Sequence, residues 1–222
     1  MPSVKIGKKS TVTDMTPFVD VGFLILFFFI MATKFKPPEP IQITTPHSVS
    51  AAKLMEKDAL LIQFDSGGHV FFTLNAKKPD EVSPLRKDLI DRISQTRNLG
   101  LTPADENAFI KDGTIGTPFA QLKQYLSLPE ADRKTVKQVG IPVDSSNNEL
   151  QVWINNAMTT FAGRPVDYMI KGDNNAVYPT FKGVMDALAK NDQYKYQLIT
   201  DPKAVPVGSD LYLSRLNGKK EQ

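Results

Sequence analysis

The apolar residues of this chain are concentrated in one uninterrupted run near its start. Residues 17–33 read PFVDVGFLILFFFIMAT and contain a single charge, Asp20. At about 1.5 Å per residue these positions span roughly 25 Å, and a helix over residues 14–35 would reach the thickness of a bilayer core. Pro17 suits the first helical turn, where its missing N–H costs little. The pattern therefore predicts one transmembrane helix over residues 14–35.

Two other interpretations of this run are weaker. A buried core helix rarely carries apolar residues on every face. A cleaved signal peptide would use the lysines of residues 5–9 as its basic region and residues 30–32 as its cleavage site, but Pro17 and Asp20 interrupt the approach to the apolar run. The short tail of residues 1–13 and the large C-terminal part favour a cytoplasmic N-terminus, with the bulk of the chain across the membrane.

A proline-rich stretch, KFKPPEP at residues 34–40, follows the run and favours an extended chain. We therefore predict that residues 36–57 form a tether, and residues 34–57 would reach roughly 75 Å when fully extended. Residues 41–46 alternate briefly between apolar and polar positions, as a strand does. We expect residues 41–45 to pair, in one state of the protein, with an edge of the folded domain or with a second copy.

The rest of the chain alternates between strand and helix patterns. Two apolar strands are joined by the turn Asp65-Ser-Gly-Gly68, which predicts a hairpin. The predicted elements are strands at 59–64, 69–74, 166–171 and 194–200, and helices at 82–97 and 178–191. Residues 58–202 thus predict a small mixed α/β domain, followed by a C-terminal tail at 203–222. The fold class of the whole chain is α+β, with one N-terminal transmembrane helix.

Residues 98–150 are longer than a plain connection in a compact domain requires. Their pattern predicts a helix at 118–128, a second helix from residue 129, and a strand at 150–155. We interpret residues 98–150 as an insertion, either a subdomain or a long excursion on the domain surface. Trp153, the only tryptophan of the chain, is expected to pack in the core.

Composition narrows the classes of function. The chain has no cysteine, which removes disulfides, thiolate metal sites and cysteine nucleophiles. The net charge of +3 lies entirely in residues 1–36, so the folded part is neutral and lacks the basic field of a nucleic-acid binder. His47 and His69 have no carboxylates at metal-ligand spacing, and no nucleophile motif is visible. We expect no enzymatic activity, no cofactor and no metal.

Asp20 is the residue with the most informative chemistry. A carboxylate inside a membrane helix costs at least about 2.5 kcal/mol, so it requires a reason. One interpretation is an interfacial aspartate that reaches the water of the headgroups. The other is a proton-carrying carboxylate that faces the interior of a protein, where changes in its surroundings load and release the proton.

The residues Asp14-Met-Thr16-Pro17-Phe-Val-Asp20-Val, followed by a short apolar run, resemble the signature of the ExbD/TolR family. Its members are single-pass subunits of proton-driven inner-membrane motors. Residues 41–46 and the Lys171-Gly172-Asp173 turn are also similar to the family, and the resemblance covers about half of the chain. It implies that Asp20 is the proton-responsive residue. It further implies that Thr16 is its polar neighbour on the same helix face, and that Pro17 belongs to the helix-start motif.

The resemblance also implies a function. The chain would be an energy-transducing subunit in the inner membrane of a bacterium, driven by the proton-motive force, with its C-terminal domain in the periplasm. Its expected partners are an ExbB/TolQ-like ring protein, a second copy of itself, the lipid bilayer and a TonB-like protein that serves outer-membrane transport. A TolR-like role in envelope integrity and a membrane-anchored periplasmic binding module remain alternatives. A periplasmic hydrolase would need a catalytic constellation that the sequence does not show.

Overall fold

The computed structural model describes residues 15–32, 41, 43–48, 57–161, 163–203 and 209. It divides the chain into two compact units, Met1–Glu39 and Pro40–Gln222. The described part of the first unit is a single helix, α1, at Thr16–Ala32. Among the described residues, no helix combines the length and the apolar character that a membrane crossing requires. The ends of the predicted transmembrane helix, residue 14 and residues 33–35, lie outside the described residues.

The second unit is built on strands and helices of mixed order. Its strands are β1 (His47–Ser48), β2 (Ala59–Phe64), β3 (Val70–Asn75), β4 (Thr114–Ile115), β5 (Asp167–Gly172), β6 (Gln197–Leu198) and β7 (Asp201–Pro202). Its helices are α2 (Pro79–Arg97), α3 (Pro103–Asp112), α4 (Phe119–Leu126), α5 (Glu130–Thr135), α6 (Glu149–Thr160) and α7 (Tyr178–Ala189). The mixed α/β character predicted for this part of the chain is confirmed.

Five strands form one sheet in the order β4-β3-β2-β5-β6, in which β2 and β3 are antiparallel and β5 is parallel to both β2 and β6. The predicted hairpin is confirmed, because β2 and β3 pair over their full length and the Asp65 N–H donates to the His69 carbonyl at 3.2 Å. The strand predicted at 194–200 is shorter than expected, since only Gln197–Leu198 belongs to the sheet. Strands β1 and β7 form a separate parallel pair.

The strand predicted at residues 150–155 is wrong, because these residues belong to helix α6. The side chain of Asn148 accepts the N–H of Gln151 and so caps this helix. The buried positions Leu150, Trp153 and Ala157 then recur at the spacing of one helix face. The short apolar sequence LQVWI fits a strand when taken alone, but the burial period over the full twelve residues is that of a helix.

Residues 98–150 contribute buried side chains to the core of the second unit. Strand β4 extends the sheet beside β3, and the buried side chains of α3 and α4 belong to the same hydrophobic cluster as the rest of the unit. Trp153 lies at the centre of this cluster with none of its surface exposed, as predicted. Its ring lies 5.5–5.8 Å from the rings of three phenylalanines, namely Phe72, Phe109 and Phe119. Two of these phenylalanines come from residues 98–150.

We expect Trp153→Ala to lower the free energy of unfolding by about 3–5 kcal/mol, because it removes the side chain shared by three aromatic contacts and leaves a cavity. Trp153→Phe should cost only about 1–2 kcal/mol, since it keeps a ring there and removes an indole N–H that has no hydrogen-bond partner. Urea unfolding of the full chain in detergent, followed by circular dichroism, measures both. The exposed Tyr196→Ala is the control, and equal losses in the two Trp153 variants would contradict the account.

The β2–β3 turn is held by a carboxylate and an imidazole. The Nδ1 atom of His69 lies 2.8 Å from Asp65 Oδ2, and the backbone N–H of His69 donates to Asp65 Oδ1 at 2.9 Å. Burial acts to raise the pKa of Asp65, but the side-chain and backbone hydrogen bonds and the charge of His69, together with the N–H of Gly67, outweigh it. The pKa of Asp65 is therefore held below its ordinary value of 3.8.

A lowered carboxyl pKa stabilises the fold above the pKa of the unfolded chain, and this contribution disappears as the pH falls through the folded value. We expect Asp65→Asn to destabilise the protein by about 1 kcal/mol at neutral pH. The difference from the wild type should begin to shrink below about pH 4, near the pKa of the unfolded chain, and disappear as the pH falls through the folded value. Urea unfolding over a pH series measures this, with the exposed Asp144→Asn as the control. A difference that grows towards acid pH would contradict the assignment.

Candidate functional site

Helix α1 carries one charged residue, Asp20, among uncharged neighbours. All its described side chains are exposed, and its large apolar side chains are exposed by 51–73%. The apolar surface continues around the whole helix, with phenylalanines, leucines and isoleucines on every side. A surface of this kind is stable only where lipid or apolar protein covers it.

The three residues predicted for the proton site lie in the first turns of α1. The N–H groups of Phe18 and Val19 both donate to the carbonyl of Met15 at 3.1 Å, and α1 begins at Thr16. Pro17 occupies the first turn, where its missing N–H leaves no bond unmade. Thr16 and Asp20 are four residues apart, which places them on the same face, one turn from each other. This arrangement sets a hydroxyl beside a carboxylate on an otherwise apolar helix.

Such a pair has a simple chemical capability. A carboxylate binds or releases one proton, and a hydroxyl one turn away is able to donate a hydrogen bond to the ionised form or accept one from the protonated form. The described part of α1 offers no cation that would neutralise Asp20. The surroundings of α1, whether a protein partner or lipid, would therefore decide whether the ionised or the protonated carboxyl of Asp20 is stable.

The second unit carries an apolar groove between β6 and α7. Its floor is formed by Phe64 and Ile170, and Phe181 packs edge-to-face on Phe64 with ring centroids 6.3 Å apart. Tyr178 and Leu198, on the rim, are 71% and 56% exposed. The sequence analysis did not find this groove, because its walls come from segments that are far apart along the chain.

A segment of the predicted tether, residues 43–48, which we call the strap, reaches the groove through Pro46. Pro46 lines the groove, and Thr45 is buried. The strap lies against the chain that follows β6, with β1 parallel to β7. The strand pairing in this part of the chain lies at His47–Ser48 rather than at the predicted residues 41–45, and Thr44 instead bonds to the turn at Asp173.

Hydrogen bonds at Thr44, Pro46 and Ser48 hold the strap. The N–H of Thr44 donates to Asp173 Oδ2 at 2.9 Å, and the carbonyl of Thr44 accepts the N–H of Asn174 at 2.8 Å. The carbonyls of Pro46 and Ser48 accept the N–H groups of residues 201 and 203 at 3.0 and 2.8 Å. The sequence analysis identified the turn at Asp173 but not its partner, which is 129 residues away in the chain.

The histidines occupy ordinary structural positions. His69 belongs to the β2–β3 turn with Asp65, and His47 lies exposed in β1. Within the described ranges, no group of three or more histidine and carboxylate side chains is close enough to hold a metal ion.

Comparisons with known proteins bear on the helix and on the folded unit together. No curated protein and no solved structure matches the chain. The family model described as "Biopolymer transport protein ExbD/TolR" matches residues 8–203, which include α1, the strap and the whole sheet. Because this match extends over most of the sequence, the chain belongs to the ExbD/TolR family of biopolymer transport proteins.

Proposed function

We propose that this protein is the energy-transducing subunit of an inner-membrane motor of the ExbB–ExbD type, in which protonation of Asp20 couples the proton-motive force to movement of α1. Membership of the ExbD/TolR family supports a role in biopolymer transport. The observation that carries the proposal is the single carboxylate on a helix that is apolar on every side.

The environment of α1 follows from its surface. In lipid alone, a charged Asp20 would be strongly unfavourable, whereas a multi-helix partner supplies polar groups and water at the carboxylate. We therefore propose that α1 extends over residues 14–35, crosses the inner membrane with the N-terminus in the cytoplasm, and is enclosed by an ExbB/TolQ-like ring protein. One elementary charge that crosses the membrane releases about 2.3 kcal/mol per 100 mV, which is enough to shift a helix between two positions.

The second unit would then work in the periplasm and deliver the movement to a TonB-like protein for outer-membrane transport. Its apolar groove supports a binding role of this kind, because an exposed apolar surface often marks a site of contact with another protein. A TolR-like subunit for envelope integrity is the alternative within the same family. A membrane-anchored periplasmic binding module is the alternative outside it, and it would not need Asp20.

The central variant is Asp20→Asn, which keeps the size of the side chain and removes its ability to titrate. We expect wild-type levels of protein and normal assembly with the ring protein, but a loss of energy-dependent uptake of more than about tenfold, because no proton is carried. Uptake of a TonB-dependent substrate in a deletion strain complemented with each variant is the measurement.

The matched control is Asp14→Asn, the same chemical change six residues earlier, at the first residue of the predicted helix. It should leave uptake unchanged. Wild-type uptake together with an intact outer membrane in Asp20→Asn would refute the motor and favour the binding module. Normal uptake combined with loss of outer-membrane integrity in Asp20→Asn would identify the TolR-like role.

We also expect two copies of the protein in the assembled complex. The faces of α1 beside Asp20 are bulky, with Phe23, Leu24, Phe27 and Phe28, and lack the small residues that allow two helices to pair closely in lipid. Two copies should therefore be enclosed by the ring protein and contact it. Native mass spectrometry of the co-expressed complex measures the stoichiometry, and a single copy that never co-purifies with the ring protein would overturn this expectation.

A further inference from the structure

We propose that the apolar groove between β6 and α7 is occupied by the C-terminal tail of the same chain, through Leu211 and Leu213. Any partner that binds the groove then has to displace this segment. The occupation of the groove concerns the second unit alone, whereas the consequence for partner binding rests on the proposed function, in which the groove receives a periplasmic protein.

The groove offers a small apolar site that is open to solvent. Its volume is about 310 Å³, at the lower end of the range for ligand pockets, so it takes only a few apolar side chains. Phe64 and Ile170 form its floor, and the exposed side chains of Tyr178 and Leu198 form its rim. Contact between apolar surface and water is unfavourable, so an apolar segment that covers the groove stabilises the second unit.

The chain enters its tail at the edge of this groove. Leu198 and Thr200 line the groove, and Lys203 follows three residues after Thr200. The N–H of Lys203 donates to the carbonyl of Ser48 at 2.8 Å, which fixes the start of the tail on the second unit. Seven residues separate Lys203 from Leu211, and a chain of this length spans at most roughly 30 Å. Leu211 is therefore always within reach of the groove.

The short connection favours binding within the chain over binding of a separate molecule. A short linker gives its segment an effective concentration of millimolar order at the site. A segment whose free peptide binds with a Kd of about 10 µM would then fill the groove in about 99% of the molecules. A separate partner therefore meets a groove that is already filled in most copies.

The sequence of the tail suits this site. Residues 210–216 read DLYLSRL, with three leucines and a tyrosine within seven positions. In an extended chain, Leu211 and Leu213 point to the same side, roughly 6.6 Å apart, and Tyr212 points to the opposite side. Two leucines at this spacing match a groove that takes a few apolar side chains. The family match ends at residue 203, so family membership assigns no role to this stretch.

Residues 204–208 and 210–222 lie outside the described residues. Ser209, the one described residue of the tail beyond Lys203, is partly buried. Partial burial of a small polar side chain two positions before Leu211 agrees with a chain that returns to the second unit.

Competition with a labelled tail peptide tests whether the groove is filled. The probe is a fluorescein-labelled peptide of residues 204–222, titrated into the full-length protein in nanodiscs and followed by fluorescence anisotropy. We expect weak binding to the wild type, because its own tail occupies the groove. A Leu211→Ser, Leu213→Ser double variant should bind the peptide at least about tenfold more tightly, because its tail no longer fills the groove. Leu198→Asp on the rim, added to this double variant, should abolish binding.

The matched control is Tyr212→Ser, a comparable change at the position between the two leucines. It should bind the peptide as weakly as the wild type, because the side chain of Tyr212 points away from the groove in the proposed arrangement. Equal affinity of the wild type and the double variant for the peptide, including no binding to either, would overturn the proposal. Equally tight binding to Tyr212→Ser and to the double variant would contradict the assignment of the two leucines.

A disulfide tests the position of the tail directly, because the chain contains no cysteine. Leu213→Cys with Tyr178→Cys on the rim should form a disulfide within one chain on mild oxidation, seen as a faster-migrating monomer in non-reducing electrophoresis. Val139→Cys is the control partner for Leu213→Cys, since Val139 is exposed but does not line the groove. Equal yields with both partners, or no disulfide with Tyr178→Cys, would overturn the proposal. A disulfide-linked dimer would overturn it as well, because the occupant would then be the tail of a second copy.

Uptake tests the consequence for partner binding separately. If the groove receives the partner, the Tyr178–Leu213 disulfide should block uptake until a reductant is added, while each single cysteine variant behaves as the wild type. Normal uptake with the disulfide closed would refute the groove as the partner site and leave both the motor and the occupied groove intact. Normal uptake with an intact outer membrane in Asp20→Asn would refute the motor, and the peptide titration would still decide whether the tail fills the groove.

Discussion

The carboxylate of Asp20 has to be reconciled with a helix whose other residues from Thr16 to Ala32 are all uncharged. Neither water nor lipid suits both the carboxylate and the apolar surface of α1. Water leaves the phenylalanines and leucines uncovered, and lipid leaves the carboxylate unsolvated. A protein partner would meet both requirements if its interior were apolar along most of α1 and polar beside Asp20. The proposed function is the simplest arrangement that meets this constraint.

The second unit depends on a different constraint, the burial of Trp153. Three phenylalanines surround its ring, and two of them come from the long connection between α2 and α6. That connection is tied down by polar contacts as well. Arg133, which is almost fully buried, donates to both carboxylate oxygens of Asp112, from Nε at 2.7 Å and from Nη2 at 3.2 Å. A core packed and tied down in this way is rigid.

The sequence predicted those features that depend on neighbours along the chain. The β2–β3 hairpin, helix α2 and helix α7 follow from local periodicity and turn chemistry, and the Thr16–Pro17–Asp20 motif is contiguous. The strand expected at residues 150–155 was wrong because a five-residue apolar stretch fits both the strand period and the helix period. Only burial against the core decides between the two. The sequence did not predict the partner of Asp173, because Thr44 lies 129 residues away along the chain. The contribution of residues 98–150 to the core was not predicted either, because it depends on long-range contacts such as the pairing of β4 with β3.

The proposed function of this protein requires that Asp20 carries protons. The most direct measurement is proton flux into proteoliposomes that contain the purified complex of this protein with its ring partner, under an imposed membrane potential, with a pH-sensitive dye inside. The account predicts inward flux for the wild type and for Asp14→Asn, and background flux for Asp20→Asn. Equal flux through the wild-type and Asp20→Asn complexes would contradict it.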